Sequence, residues 1–257
     1  MCEIFAMTSR KKRDVNEYLK EFFSHSTQHP HGWGLANLYK NEVEIEKEPI
    51  QATKSHYLKN RLSVPYKGRN ILAHIRYATI GNVEYQNCHP YTLKDRTGRR
   101  WTMIHNGTIF QYDPLNEYVK LQHGDTDSER ILLYIRDRIN QESRKKGQPL
   151  DAEERFFVLD QIISEMSKEN KLNLLLFDGE LLYVHTNYQS SLYQLAQEGR
   201  IYFSTTPLSG EHWQPVPMTT LLAFQEGEMV FRGTDHGNEY FSREDDLKFL
   251  YHIFSNL

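Results

Sequence analysis

The second residue of the chain is a cysteine, and that position has chemical consequences. Removal of Met1, which a side chain as small as Cys2 permits, would leave a thiol and a free α-amine on one residue. A peptide nitrogen is not a base, whereas a free α-amine titrates at roughly pH 7.7–8.0, where a general base operates. Cys2 would then carry nucleophile and proton acceptor together, the N-terminal-amine form of an activated nucleophile. The competing reading makes Cys2 a small apolar residue opening a buried strand.

Three downstream segments bear on that choice. In His74-Ile75-Arg76-Tyr77-Ala78-Thr79 a cation stands among apolar residues, either paired structurally or offering its fork to a carboxylate. In His105-Asn106-Gly107-Thr108 a side-chain amide precedes a glycine, which supplies two N–H donors and a closely approachable backbone, the parts of an oxyanion hole. An ordinary Asn-Gly turn explains the same pair. In Gly124-Asp125-Thr126-Asp127-Ser128-Glu129 acidic residues cluster where a helix is expected to begin. They serve either as caps favoured by the helix dipole or, through Asp127, as a seat for a substrate ammonium. In this order the segments compose a site for an amino-acid zwitterion beside a thiol: Arg76 for carboxylate, Asp127 for ammonium, Asn106 and Gly107 for oxyanion charge.

The elements that must hold these residues are legible in the periodicity. Cys2 to Met7 reads as a strand, followed by a helix capped by Asp14 with Val15, Tyr18, Leu19, Phe22 and Phe23 on one face. Further strands are expected over 33–39, 42–48, 70–79 and 101–105, so that Arg76 lies within a strand and Asn106 just beyond one. Thr126 and Glu129 have capping-box spacing, ahead of a helical face of Ile131, Ile135 and Ile139. A second helix covers 153–166, and 145–149 fits a loop between the two. Strands over 172–177, 180–185, 201–204, 221–224 and 228–231 complete the chain. Strands, then helices, then strands describe an α+β domain with antiparallel sheets.

Composition narrows the function classes. The 257 residues carry 31 basic and 34 acidic side chains, a net charge of −3 that gives no pull toward nucleic acid or anionic membrane. The run Arg10-Lys11-Lys12-Arg13 is short and reads as a solvated face. No stretch approaches the roughly 18 apolar residues of a membrane span, and the basic cluster follows rather than precedes the first apolar residues, unlike a secretory signal. Two cysteines, Cys2 and Cys88, make no disulfide framework. A reduced, cytoplasmic location is expected. The twelve histidines include no H-E-x-x-H spacing, so no metal is expected. Cys88 reads as a packed thiol, and Phe249 to Leu257 as either a docking segment or a packed tail.

The ordered set Met1-Cys2, His31-Gly32-Trp33-Gly34, His74 to Thr79, Asn87-Cys88-His89-Pro90, His105-Asn106-Gly107 and Gly124 to Glu129 resembles the class II glutamine amidotransferases, the N-terminal-nucleophile (Ntn) hydrolases with a catalytic cysteine. The His-Gly-Trp-Gly form and the absence of an attached synthase domain resemble the stand-alone subgroup. The resemblance implies a four-layer αββα sandwich over residues 2–257 as one domain, with Met1 removed. It implies Cys2 as nucleophile with its α-amine as base, Asn106 and Gly107 as the oxyanion hole, and Arg76 and Asp127 on the substrate's α-carboxylate and α-amine. Thiolate attack would release ammonia or an amine through a γ-glutamyl thioester, without a cofactor. The substrate would be glutamine or another γ-glutamyl amide, with a partner subunit needed if ammonia is to reach an acceptor. The alternative is a non-catalytic subunit that binds a γ-glutamyl ligand.

Overall fold

The computed structural model describes residues 2–243. Two antiparallel sheets form the centre. The first joins β1 (Glu3–Asp14), β2 (Trp33–Leu38), β3 (Val43–Glu48), β4 (Lys67–Ile75), β9 (Tyr193–Gln197), β10 (Arg200–Ser204) and β11 (Gln214–Pro215), in the order β11-β9-β10-β1-β4-β2-β3. The second joins β5 (Tyr91–Lys94), β6 (Arg100–Thr108), β7 (Lys171–Phe177), β8 (Leu182–His185), β12 (Leu222–Gln225) and β13 (Glu228–Arg232), in the order β13-β12-β8-β7-β6-β5. Helices α1 (Asn16–Ser24) and α2 (His56–Arg61) accompany the first sheet, and α3 (Asp127–Lys146) and α4 (Ala152–Met166) accompany the second.

Strand parity builds this layering. Successive side chains on a strand point to opposite faces. On β1, Phe5 and Met7 join Leu19 and Phe22 of α1 in one core, while Ile4 and Ala6 join another. On β7, Leu172, Leu174 and Leu176 pack with Ile131 and Ile135 of α3, while Leu175 and Phe177 turn the other way. Those other faces meet, and Ile4, Ala6, Leu72, Ile104, Leu175, Phe177 and Phe203 form the core between the sheets. Three cores separate four layers, helix–sheet–sheet–helix, as the resemblance implies. β7 is buried along its whole length, and its apolar run Leu174–Phe177 is unbroken across both faces.

Several boundaries differ from the sequence expectation. β4 stops at Ile75 instead of Thr79, because Ile75 pairs with Glu3 on one side and Trp33 on the other, the first residues of their strands. β6 runs on to Thr108, so Asn106 and Gly107 lie inside a strand, opposite Asn173 and Leu172, and form no turn. β1 continues through the basic run after a register shift between Thr8 and Arg13, with Arg10 to Lys12 exposed. The cap position of α1 is Val15, although Asp14 Oδ1 accepts the Asn16 N–H at 3.0 Å. At α3 only half of the capping box forms. Thr126 accepts the Glu129 N–H, but the Glu129 carboxylate turns to the amides of His123 and Gly124. The reciprocal box occurs at α4, between Asp151 and Glu154. α3 ends at Gly147 (φ 78°), which adopts the left-handed cap conformation and opens the loop to α4. The sequence reading missed α2, β5, β9 and β11, all short. No helix among the described residues is long and apolar enough to cross a membrane. The segment Phe249 to Leu257 lies outside the described residues.

Candidate active site

Parity also locates the site. Cys2 stands two residues before Ile4 and so faces the gap between the sheets. Two and four residues after Leu72 on β4 come His74 and Arg76, two and four after Ile104 on β6 come Asn106 and Thr108, and two and four before Leu175 on β7 come Asn173 and Lys171. The sheets are bound together at this end by His74 Nε2, 3.3 Å from the His105 carbonyl. A gap that is apolar in its middle therefore turns polar at one mouth, where parity places Cys2, Arg76 and Asn106; Gly107 follows Asn106 on β6, and Asp127 joins them from α3.

Cys2 is partly buried. Its Sγ accepts the Tyr77 N–H at 3.3 Å and lies 3.4 Å from the Tyr77 carbonyl. Burial pushes the thiol up, the Tyr77 backbone and the Arg76 charge pull it down, and Asp127 pushes it up. Cys88, by contrast, is packed away at 1% exposure with its thiol pushed up to about 11 by burial, as expected of a structural cysteine.

Arg76 is engaged by its own chain. Its guanidinium donates to the carbonyls of Ile80 (2.9 Å), Gly81 (2.8 Å) and Asn82 (2.8 Å), so it organises the loop that follows it. That loop is fastened in turn by the buried Asn87, whose Nδ2 reaches the Asn82 carbonyl and the Asp125 carboxylate, and whose Oδ1 accepts the Asp125 N–H. Arg76 is thus tied through the loop to the segment that precedes α3.

Asp127 is 5% exposed and opens α3. Its Oδ2 accepts the Ile109 N–H at 2.9 Å, just past the end of β6, and its Oδ1 accepts from Ser128 Oγ at 3.3 Å. Ser128 Oγ also meets His105 Nδ1 at 3.0 Å. The residues on either side of Asn106-Gly107-Thr108 are therefore both anchored to the start of α3, which fixes the Asp127 carboxylate relative to that strand end. The Asn106 side chain is buried and makes no hydrogen bond among the described residues. Gly107 admits no side chain, because a Cβ there would lie 2.0 Å from the Lys171 carbonyl oxygen.

His74, His89 and His105 are buried. Burial holds His74 down at about 3 and lowers His89 and His105 as well. His74 and His105 each make a ring hydrogen bond, while His89 packs against the His74 and Tyr91 rings. Behind Cys2, Glu3 accepts from His25 (2.9 Å) and His29 (3.3 Å). Burial opposes its ionisation, yet these hydrogen bonds hold the carboxyl at about 2.

Sequence reasoning left Tyr77, Asn87, Ser128 and Lys171 without roles in the site. Lys171 had a usable signal, being a lysine two residues from Asn173 on the polar parity of an otherwise apolar run. The contact of the Tyr77 backbone with Cys2 had none, since it depends on where the chain goes after β4 ends.

Comparison with known proteins agrees with this architecture. Residues 1–203 match the family model for class II glutamine amidotransferases. The chain is 27% identical over 262 residues to the uncharacterized protein MJ1515 of Methanocaldococcus jannaschii, covering 90% of this chain and 71% of that one. The 2.0 Å crystal structure of a predicted glutamine amidotransferase from Pseudomonas aeruginosa superposes with a TM-score of 0.63 at 20% identity, over 90% of this chain and all of the other. The glutamine phosphoribosylpyrophosphate amidotransferase of B. subtilis gives a TM-score of 0.65 at 16% identity, over 89% of this chain but 48% of that enzyme. The last two likenesses speak to the fold, and the match over residues 1–203 to the family: the chain belongs to the class II glutamine amidotransferases.

Proposed function

We propose that the protein is a cysteine amidohydrolase that cleaves the side-chain amide of glutamine or of another γ-glutamyl compound. What supports the reading is that Cys2, Arg76 and Asn106 have the parity of the inter-sheet gap, with Gly107 next to Asn106 on β6 and Asp127 anchored just past the same strand end. In this reading Met1 is removed and the freed α-amine of Cys2 takes the thiol proton. The thiolate attacks the side-chain carbonyl, and the Asn106 amide and Gly107 N–H receive the oxyanion charge. Collapse of the tetrahedral intermediate expels ammonia or an amine, which takes up the proton, and water then hydrolyses the γ-glutamyl thioester. Asp127 receives the substrate's α-ammonium. Arg76 serves the α-carboxylate partly with its own charge and partly by shaping the 80–82 loop. Delivery of the ammonia to an acceptor would require a partner subunit.

The test is the intact mass of the protein before and after incubation with 6-diazo-5-oxo-norleucine, a glutamine-mimicking electrophile. The expected result is a mass lacking Met1 and a single adduct that maps to Cys2, together with complete loss of amide hydrolysis in Cys2→Ala. Retained Met1 without labelling would instead favour a subunit that binds γ-glutamyl ligands without turning them over.

A further inference from the structure

Two peptide groups frame the sulfur of Cys2, and both have their outer edges on His31. In the peptide between Arg76 and Tyr77, the Tyr77 N–H donates to Cys2 Sγ at 3.3 Å. The carbonyl of that same peptide, on Arg76, accepts the His31 N–H at 3.0 Å. In the peptide between Tyr77 and Ala78, the Tyr77 carbonyl lies 3.4 Å from Sγ. The N–H of that peptide, on Ala78, donates to His31 Nδ1 at 3.0 Å. A trans peptide carries its N–H and C=O on opposite edges of one plane, so fixing one edge aims the other. His31 thus grips from outside the two groups that meet the thiol from inside. Its ring also packs on Tyr77, with the two ring centroids 5.2 Å apart.

The local chain holds His31 in this place. The pairing of Trp33 with Ile75 continues beyond the strand ends, where the Arg76 N–H donates to the Gly32 carbonyl at 2.8 Å. Gly32 has φ 142°, a conformation side chains rarely adopt, and a Cβ there would lie 2.6 Å from Cys88 Sγ. The packed thiol of Cys88 therefore sits against bare backbone at the turn that leads from His31 into β2. Because a backbone N–H donates to Nδ1, the His31 ring is neutral with its proton on Nε2. Burial and then the Arg76 charge lower its pKa, whereas burial raises that of the Cys2 thiol, so the two titrations stand apart.

We infer that His31 is a positioning residue for the nucleophile: it clamps the 76–78 backbone so that the Tyr77 N–H stays aimed at the Cys2 sulfur and stabilises its thiolate. The inference rests on the reading of Cys2 as the nucleophile. A hydrogen bond to the charged form of an acid favours that form, so the clamp keeps the thiol easier to ionise than burial alone would leave it.

The experiment is the rate of iodoacetamide alkylation at Cys2 in the full chain, located by peptide mapping, as a function of pH. The midpoint of that profile reports the thiol's ionisation and, unlike the plateau rate, does not depend on how open the site is. His31→Leu removes the acceptor for Ala78 but no charge, and is expected to raise the midpoint by about one unit. His31→Asn places an amide oxygen at the position of Nδ1 and is expected to keep the parental midpoint. His31→Gln, whose amide lies one carbon too far along, repeats the loss if the leucine variant does not fold. The charges about the thiol, those of the amino terminus, Arg76 and Asp127, are the same in every variant, so a shift reports the clamp. A parental midpoint without the acceptor, or an asparagine variant shifted as far as the leucine one, would overturn the assignment. Iodoacetamide needs neither glutamine recognition nor turnover. Failure of 6-diazo-5-oxo-norleucine to label the protein would therefore count against the proposed substrate, while the alkylation midpoints decide the role of His31.

Discussion

With the Arg76 and Asp127 charges close by, the amide and the carbonyl of Tyr77 both contact the sulfur of Cys2. Directly after it, Glu3 fastens the chain start to His25 and His29. The Glu3 carboxyl, at about 2 against an ordinary 4.5, lies below its unfolded value. It therefore contributes stability above pH 4.5 that disappears as the pH falls from there toward 2. His25 has the opposite sign. Its pKa is raised, first by the hydrogen bond to Glu3, so its contribution is full at acid pH and fades as the pH rises through the raised value. Glu3→Gln is expected to lower unfolding free energy by about 3 kcal/mol at neutral pH and to flatten the acid dependence. Urea unfolding of both proteins at a series of pH values tests this; parallel acid limbs would show that Glu3 carries no such linkage.

Elements are locked to one another by a few buried polar contacts. α4 is pinned to the β7–β8 turn by Arg155, whose guanidinium meets the fully buried Asp178 at 2.6 Å, Glu180 at 2.7 Å and the Leu150 carbonyl at 2.9 Å. Asp178 further accepts from Tyr183 Oη and from the amides of Glu180 and Leu181. The carboxylate is thus well solvated by protein, yet its charge has Arg155 as its principal counterion. Arg155→Met would strand that charge in the interior and is expected to cost about 3–5 kcal/mol. Thermal unfolding measures the loss, and the double variant Arg155→Met/Asp178→Asn should recover part of it.

At the scale of the whole molecule, the site has two halves on two sheets. Cys2 and Arg76 come with the first sheet, Asn106 and Gly107 with the second, and the apolar core between the sheets sets their separation. Packing there has consequences at the mouth. Leu175 is fully buried in that core, two residues along β7 from Asn173. Leu175→Ala is expected to cost about 2–5 kcal/mol through lost transfer energy and the cavity left behind. For the proposed amide hydrolysis it should also lower kcat, because a reaction across two sheets tolerates little displacement. Calorimetry together with steady-state kinetics checks both; a destabilised variant with undiminished kcat would show that the two halves keep their spacing without this core.

Much of this protein is fixed locally by its sequence. Alternation along β1, β4, β6 and β7 assigns the faces, and the apolar runs announce strands covered on both sides. The order of Cys2, Arg76, Asn106-Gly107 and Asp127 suggests the chemistry proposed for them, because side-chain type and strand parity depend on near neighbours in the chain. What remained open depended on partners distant in sequence. The end of β4 at Ile75 is decided by where β1 and β2 begin, and the extension of β6 through Gly107 by its pairing with Lys171 to Asn173. The commitment of Arg76 to the 80–82 loop, the anchoring of Asp127 to Ile109 and the burial of Lys171 beside Gly107 follow the same rule. A residue's type and parity say which way it points, but only the assembled sheets determine what stands opposite it, and therefore how much its charge costs.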